Sequence, residues 1–82
     1  MKLYTLDNQF IEETNEQPTN FTGIIEWSNG TKQWLVNGKL HRLDGPAIEH
    51  YSGSKYWYID NIKCAKEQHK LLHSIMKLKG LI

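Results

Sequence analysis

The sequence contains an internal repeat with an offset of 23 residues, which limits the folds open to this chain. Residues 25–26 (IE) recur as residues 48–49 (IE), and residues 30–34 (GTKQW) recur as residues 53–57 (GSKYW). A period of this length marks one supersecondary unit used twice, and each copy needs a neighbour to cover its apolar residues. With 82 residues the chain can build one modest core, so we expect a single domain.

The local chemistry of the repeat predicts β-hairpins. Residues 28–30 (SNG) and 51–53 (YSG) carry turn-forming residues between aromatic and β-branched ones, and residues 37–38 (NG) are a second hairpin turn. Residues 44–46 (DGP) predict a break between strands. We expect an antiparallel meander with strands near residues 24–28, 31–36, 39–41, 47–51 and 55–60.

Different patterns flank the repeat. Residues 2–6 predict an edge strand, and residues 12–20 predict an exposed, mobile loop that contains Pro18 and an acidic cluster. Residues 65–79 follow a 3.6-residue period, and Gly80 is placed to end a helix. One broad arc of that helix is apolar and should cover the sheet; it holds Ala65, Leu71, Leu72, Ile75, Met76 and Leu78.

The predicted fold class is therefore α+β, a small antiparallel β-meander of repeated hairpins covered by a C-terminal amphipathic helix. Its single domain divides into residues 1–22 (edge strand and acidic loop), 23–61 (two hairpin repeats) and 62–82 (basic amphipathic helix).

The charge is unevenly distributed along the chain. Ten Lys/Arg against nine Asp/Glu give a net +1, which excludes a polycation that coats nucleic acid through bulk charge. Residues 62–82, however, carry five Lys and one Glu, a net +4, so residues 1–61 sum to −3. Any charge-driven function must therefore be local.

A basic stripe on the helix is the first candidate site. Lys66, Lys70, His73 and Lys77 are spaced by four, three and four residues, so they share one helix face with no acid between them. We predict that this stripe contacts the phosphates of RNA, with Lys63 and His73 secondary and Arg42 a weaker candidate. Exposed Trp27, Tyr56 or Tyr58 would stack on unpaired bases. The alternative is a solvated helix face, or an acidic protein surface as its ligand.

Metal binding and catalysis are weaker hypotheses. Cys64, His69 and His73 could bind zinc with His41 or His50, but a second Cys and a familiar zinc spacing are lacking. His41 and Asp44 with Arg42 or a lysine could form a phosphodiesterase site, yet the sequence has no nucleophile elbow and no phosphate-cradling loop. We predict no metal, no cofactor, no catalytic residue and no enzymatic activity.

Protein binding is the main alternative to RNA binding. Three Trp and four Tyr exceed what so small a core absorbs, and such residues anchor interfaces. Uncovered strand edges also make a homodimer plausible. The single Cys64 favours a reducing compartment, and no apolar stretch approaches the ~20 residues that span a bilayer. We therefore expect a cytoplasmic protein without a membrane partner.

Residues 34–49 (WLVNGKLHRLDGPAIE) carry a family resemblance. They resemble the W-x-x-x-G-x-x-H-R-x-D-G-P-A repeat of small proteins of large, T-even-type tailed phages and of giant-virus proteins, and these repeats are similar to MORN-type hairpin modules. The resemblance covers roughly residues 23–61. In the second copy residues 60–65 (DNIKCA) replace the expected Gly and His-Arg box, which implies a truncated array.

The resemblance implies a viral origin and an antiparallel β architecture, with no catalytic residues to transfer. The repeated box is expected to be structural, with Arg42 paired to Asp44 or lying over an aromatic ring, and Pro46 ending a strand. By analogy with other small phage proteins, we expect an accessory protein of the infected cell's cytoplasm. It would inhibit a host factor such as a defence nuclease or toxin, binding that protein, RNA, or both.

Overall fold

The computed structural model describes residues 1–80, which form eight strands and one helix in an α+β fold. The strands join antiparallel in the order β2-β1-β3-β4-β6-β7-β8, and β5 pairs with the C-terminal half of β4. The predicted fold class is confirmed. The bounds are β1 Lys2–Tyr4, β2 Phe10–Glu13, β3 Gly23–Glu26, β4 Lys32–Val36, β5 Lys39–Leu40, β6 Ile48–Glu49, β7 Lys55–Ile59, β8 Ile62–Cys64 and α1 Lys66–Leu78.

The sequence repeat is also a structural repeat, because β4 (Lys32–Val36) and β7 (Lys55–Ile59) lie 23 residues apart. The turns that precede these strands match as well. Gly30 donates its N–H to the Trp27 carbonyl, and Gly53 donates its N–H to the His50 carbonyl, both at 2.9 Å. Both glycines have a left-handed backbone, with φ of 92° and 95°, which is a conformation that side chains disfavour.

The hairpin turn of the second unit uses no glycine. Asn37 and Gly38 have φ of 50° and 78°, and Asp60 and Asn61 have φ of 47° and 66°, so both turns have the positive φ values of type I′. Asn tolerates this conformation better than most residues. The Asn61 side chain also accepts the N–H of Leu40, 21 residues earlier in the chain, at 2.7 Å. Strand β8 follows this turn, and the sequence analysis did not predict it.

The N-terminal segment forms a hairpin and not an edge strand with a loop. Strand β1 lies between β2 and β3, so the prediction of β1 as the edge is wrong. Asn8, with φ of 67°, donates its N–H to the Thr5 carbonyl at 3.0 Å, and this turn brings β2 back along β1. Glu12 and Glu13 therefore lie in a strand and not in the predicted loop. All four β2 residues are exposed, and this is why their pattern of hydrophobicity did not predict a strand.

The sheet has two chemically different faces. Residues opposite one another on neighbouring strands share a face, so the strand register assigns each side chain to one of them. On the first, called the Ile25 face, Leu3, Ile25 and Leu35 form the buried core, and Ile25 is fully buried. Met1, Phe21, Trp27 and Leu40 pack against that core.

The opposite side of the sheet is called the Trp57 face. Lys32, Glu49 and Lys55 are register partners on β4, β6 and β7. Trp34 and Trp57 lie two residues further along β4 and β7, so both tryptophans belong to this face. Helix α1 lies against it and contacts mainly β7.

Helix α1 faces the sheet with a polar side chain. His69 is the buried residue of the helix, whereas the apolar arc is exposed: Leu71 by 60%, Leu72 by 37%, Ile75 by 38% and Leu78 by 88%. The prediction that this arc covers the sheet is therefore wrong for these four residues, whereas Met76, seven residues after His69 and so on the same side of the helix, is half-buried. The helix begins directly after β8, with only Ala65 between them, and its His69 side faces the sheet through a hydrogen bond to the Arg42 carbonyl.

Candidate functional site

A groove on the Trp57 face lies between helix α1 and the loop that connects β5 to β6. Its volume is about 390 Å³. The loop forms one wall and the helix forms the other, so part of the basic stripe shares a cavity with an indole ring. The lining residues are Leu43, Asp44, Gly45, Pro46, Trp57, Lys66, His69, Lys70 and His73. We call this cavity the basic groove.

Arg42 fixes the loop wall of the basic groove. Its Nε donates to Asp44 Oδ1 at 3.0 Å, and its Nη1 donates to the Pro46 carbonyl at 3.1 Å and to Glu49 Oε2 at 3.3 Å. Its Cζ also lies 3.9 Å from the centroid of the Trp34 ring. The expected pairing with Asp44 and stacking on an aromatic ring are both confirmed, and the guanidinium is engaged in internal contacts.

His69 fixes the helix wall. Its side chain is buried, and its Nε2 is hydrogen-bonded to the Arg42 carbonyl. Because a carbonyl oxygen only accepts, Nε2 must carry the hydrogen. The Arg42 N–H donates to the Tyr58 carbonyl at 3.2 Å. The backbone N–H and carbonyl of Arg42 therefore connect the loop to strand β7 and to helix α1.

The cations of the basic groove lie beside an aromatic surface. The Lys66 ammonium is 5.8 Å from the centroid of the Trp57 ring. Lys70 is exposed and His73 is half-buried. Asp44 is the one carboxylate among the lining residues, and it already binds Arg42. A cationic groove with an aromatic wall is the combination with which proteins hold single-stranded nucleic acid.

The structure brings together three of the six residues predicted to bind nucleic acid, namely Lys66, Lys70 and His73. Lys77 lies further along the helix and does not line the groove. Lys63 extends over the Tyr56 ring, 4.8 Å from its centroid, and so belongs to the Ile25 face. Arg42 does not line the groove either; its guanidinium binds Asp44 and the Pro46 carbonyl within the loop.

The aromatic residues divide between the two faces of the sheet. Trp27 packs on the core of the Ile25 face, and Tyr56 and Tyr58 point to that side because Tyr56 pairs with Ile48 and Ile48 pairs with Gln33. The three aromatics predicted to stack on bases are therefore remote from the lysine stripe. Trp57 is absent from the aromatics predicted to stack on bases, although strand alternation places it on the opposite face from Tyr56 and Tyr58.

The residues of the zinc hypothesis have other partners. Cys64 is buried and its thiol donates to the Ile62 carbonyl at 3.4 Å, while His69 binds the Arg42 carbonyl. Within residues 1–80, no three His, Cys, Asp or Glu side chains are grouped so that they could hold a metal ion.

The residues of the phosphodiesterase hypothesis line a second pocket of about 350 Å³, which contains His41, Arg42 and Asp44. Arg42 and Asp44 form an ion pair there. His41 Nδ1 accepts the Asp60 N–H at 3.1 Å and also lies 3.3 Å from Asp60 Oδ1. This ring nitrogen is therefore engaged with the turn between β7 and β8.

The fold and groove together define an α+β protein, an antiparallel meander with a C-terminal helix. Comparison of the chain with protein-family models, with curated proteins and with solved structures found no match. Among residues 1–80, the single helix is too short and too polar to cross a membrane.

Proposed function

We propose that this protein is a non-enzymatic binding protein that holds single-stranded RNA in the basic groove. One observation carries the proposal, namely that Lys66, Lys70 and His73 line the same cavity as Trp57, with the Lys66 ammonium 5.8 Å from the centroid of the indole. An indole offers a stacking surface to any base, and stacking on an aromatic side chain is worth about 1–3 kcal/mol per base. The ammonium groups would contact the flanking phosphates.

Side-chain contacts tie both walls of the groove to the sheet. Arg42 has four partners in the loop wall and on the sheet, and His69 ties the helix to the same residue. A preorganised site loses less conformational entropy when it binds. This supports a specific cavity more strongly than a row of lysines on an isolated helix would.

The biological role that we propose is that of a phage accessory protein acting against a host factor in the cytoplasm. The resemblance of residues 34–49 to phage repeat proteins supports this origin. RNA held in the basic groove would be the substrate or cofactor of that factor. A defence nuclease or an RNA-cleaving toxin is the class of target that fits.

The test is the salt dependence of binding to a fluorescently labelled oligouridine, measured by anisotropy. For single strands, the logarithm of the binding constant falls with the logarithm of salt by about 0.7 per phosphate contact. Lys66→Gln combined with Lys70→Gln should therefore reduce the slope by about 1.4. Trp57→Ala should weaken binding and leave the slope unchanged, whereas Trp57→Phe should retain most of the affinity.

The matched control is Lys2→Gln with Lys39→Gln, which removes two exposed lysines that do not line the groove. This control should bind with nearly the same slope as the unmodified protein. If both lysine pairs change the slope equally, binding is diffuse and the groove is not the site. If oligouridine does not bind at low salt, RNA binding is wrong.

A purely protein-binding inhibitor is the second candidate, and the aromatic residues of the Ile25 face favour it. Trp27, Tyr56 and Tyr58 are half-buried on that face, with Lys63 above Tyr56. Such residues anchor protein interfaces. Affinity purification from infected cells, with and without RNase, distinguishes the candidates. A partner that resists RNase, is lost with Tyr58→Ala and survives the groove substitutions supports this alternative.

A further inference from the structure

The two tryptophans of the Trp57 face occupy equivalent positions in the internal repeat. Trp34 and Trp57 lie 23 residues apart and are each the third residue of their strand, β4 and β7. Ala47 connects them, because it accepts the Trp34 N–H at 2.8 Å and donates its own N–H to the Tyr56 carbonyl at 2.9 Å. The two indoles are therefore neighbours on one face, separated by two strand spacings, or about 10 Å.

Each of these tryptophans lies beside a cation and lines a cavity. Arg42 Cζ is 3.9 Å from the centroid of the Trp34 ring, and the Lys66 ammonium is 5.8 Å from that of Trp57. Trp57 lines the basic groove. Trp34 lines the pocket of about 350 Å³ that also contains His41, which we call the Trp34 pocket. The repeat thus places two aromatic cavities on the same face.

The two cavities share a wall. Leu43 and Asp44, in the loop between β5 and β6, line both the basic groove and the Trp34 pocket. The loop therefore separates the cavities by the width of one segment of chain. A strand that leaves the basic groove across this loop enters the Trp34 pocket.

The two cavities differ in charge. Lys66 and Lys70 give the basic groove a positive charge that suits phosphate. The charged residues that line the Trp34 pocket are Arg42 and Asp44, and they pair with each other at 3.0 Å. The Trp34 pocket is therefore suited to an uncharged part of a ligand.

The remaining walls of the Trp34 pocket fit a flat heterocycle. Leu6, Val36 and Leu43 add apolar surface to the indole. Asn8, which is exposed on the turn between β1 and β2, lines the pocket with an amide that can both donate and accept hydrogen bonds. Apolar walls with a few polar groups are typical of small-ligand sites, and the volume falls within their range of about 300–1,000 Å³.

We propose, on the basis of the RNA binding proposed above, that the Trp34 pocket holds a second base of the same strand. Each repeat unit then holds one base, and the phosphate between the bases lies on the lysines of the basic groove. Proteins that bind single-stranded RNA commonly splay neighbouring bases apart in this way. The second base adds affinity without adding a charged contact.

NMR spectra of the indole N–H groups test the contact, because the chain has three tryptophans and so three such signals. Uridine monophosphate should perturb chiefly the Trp57 signal, since the groove lysines hold its phosphate. The trinucleotide UpUpU should perturb the signals of both Trp57 and Trp34. Trp27 is the internal reference, because its Nε1 donates to Gln33 Oε1 at 3.0 Å on the Ile25 face.

A variant of the β1–β2 turn tests the contribution to affinity. Leu6→Ala with Asn8→Gly should preserve the fold, because Leu6 is 47% exposed and the φ of 67° at Asn8 suits glycine. Binding of labelled oligouridine should weaken by about fivefold or more. The salt slope should stay unchanged, because no charge is removed. The matched control is Leu78→Ala with Gln68→Ala, an exposed leucine and an exposed amide that line neither cavity.

Each outcome decides the proposal. Perturbation of both indole signals, with weaker binding of the turn variant than of the control, supports the second base site. If UpUpU perturbs Trp57 and not Trp34, or if the turn variant binds as tightly as the control, the second site is wrong and the basic groove holds the strand alone. Perturbation of Trp34 without Trp57 also overturns the arrangement of one base per repeat. If UpUpU perturbs neither signal and oligouridine does not bind, both the second site and RNA binding are wrong.

Discussion

Arg42 is the residue on which the local structure depends most. Its guanidinium binds Asp44, the Pro46 carbonyl and Glu49, and it lies on the Trp34 ring. A lysine has one ammonium and cannot reproduce this fork of donors or stack as a plane. Arg42→Lys should therefore lower the free energy of unfolding by about 1–3 kcal/mol. Urea titration followed by tryptophan fluorescence measures it, with Lys39→Ala as the exposed control.

Gly45 provides a cross-check on that explanation through a double-mutant cycle. A Cβ at this position would lie 3.0 Å from Arg42 Cζ and 3.1 Å from Arg42 Nε, so Gly45→Ala should displace the guanidinium and destabilise the protein. In an Arg42→Ala background, Gly45→Ala should leave the free energy of unfolding almost unchanged, because the guanidinium that it displaces is gone. Equal costs in both backgrounds would mean that Gly45 matters for a reason other than Arg42.

At the scale of elements, the helix is held by a polar anchor. His69→Leu leaves the Arg42 carbonyl without its donor and should lower the free energy of unfolding by about 1–3 kcal/mol. Leu78→Ala should change it by less than about 0.5 kcal/mol, because that leucine is exposed. Urea unfolding monitored by helix ellipticity measures both, and Gln68→Leu is the exposed control. A larger loss with Leu78→Ala would place the apolar arc against the sheet.

This helix also shows what the sequence could and could not predict. Local signals predicted its bounds, the β-meander and the clustering of Lys66 with Lys70, since turn chemistry and periodicity act over a few residues. The rotation of the helix depends on a bond between residues 69 and 42, which no local pattern encodes. The same holds for Trp57, whose meeting with the lysines requires knowledge of which face the helix covers.

For the whole molecule, burial is concentrated in the N-terminal half. The most buried large side chains are Leu3, Ile24, Ile25 and Leu35, which lie in β1, β3 and β4. Beyond residue 46, the buried positions within the described residues are Ala47, Cys64 and His69. Regions with few buried apolar contacts open locally before the molecule unfolds. A gradient of stability should therefore run from β3 and β4 towards β8 and α1.

Amide hydrogen exchange measured residue by residue by NMR tests this gradient. Amides of β3 and β4 should exchange only on global unfolding, with a steep dependence on denaturant, and those of α1 should exchange faster with a shallow dependence. A helix of 13 residues is marginally stable on its own. His69→Ala should therefore accelerate amide exchange in α1 alone, whereas Ile25→Ala should accelerate it both in α1 and in strands β3 and β4. If His69→Ala accelerates β3 as much as α1, the two halves unfold as one cooperative unit and the gradient does not exist.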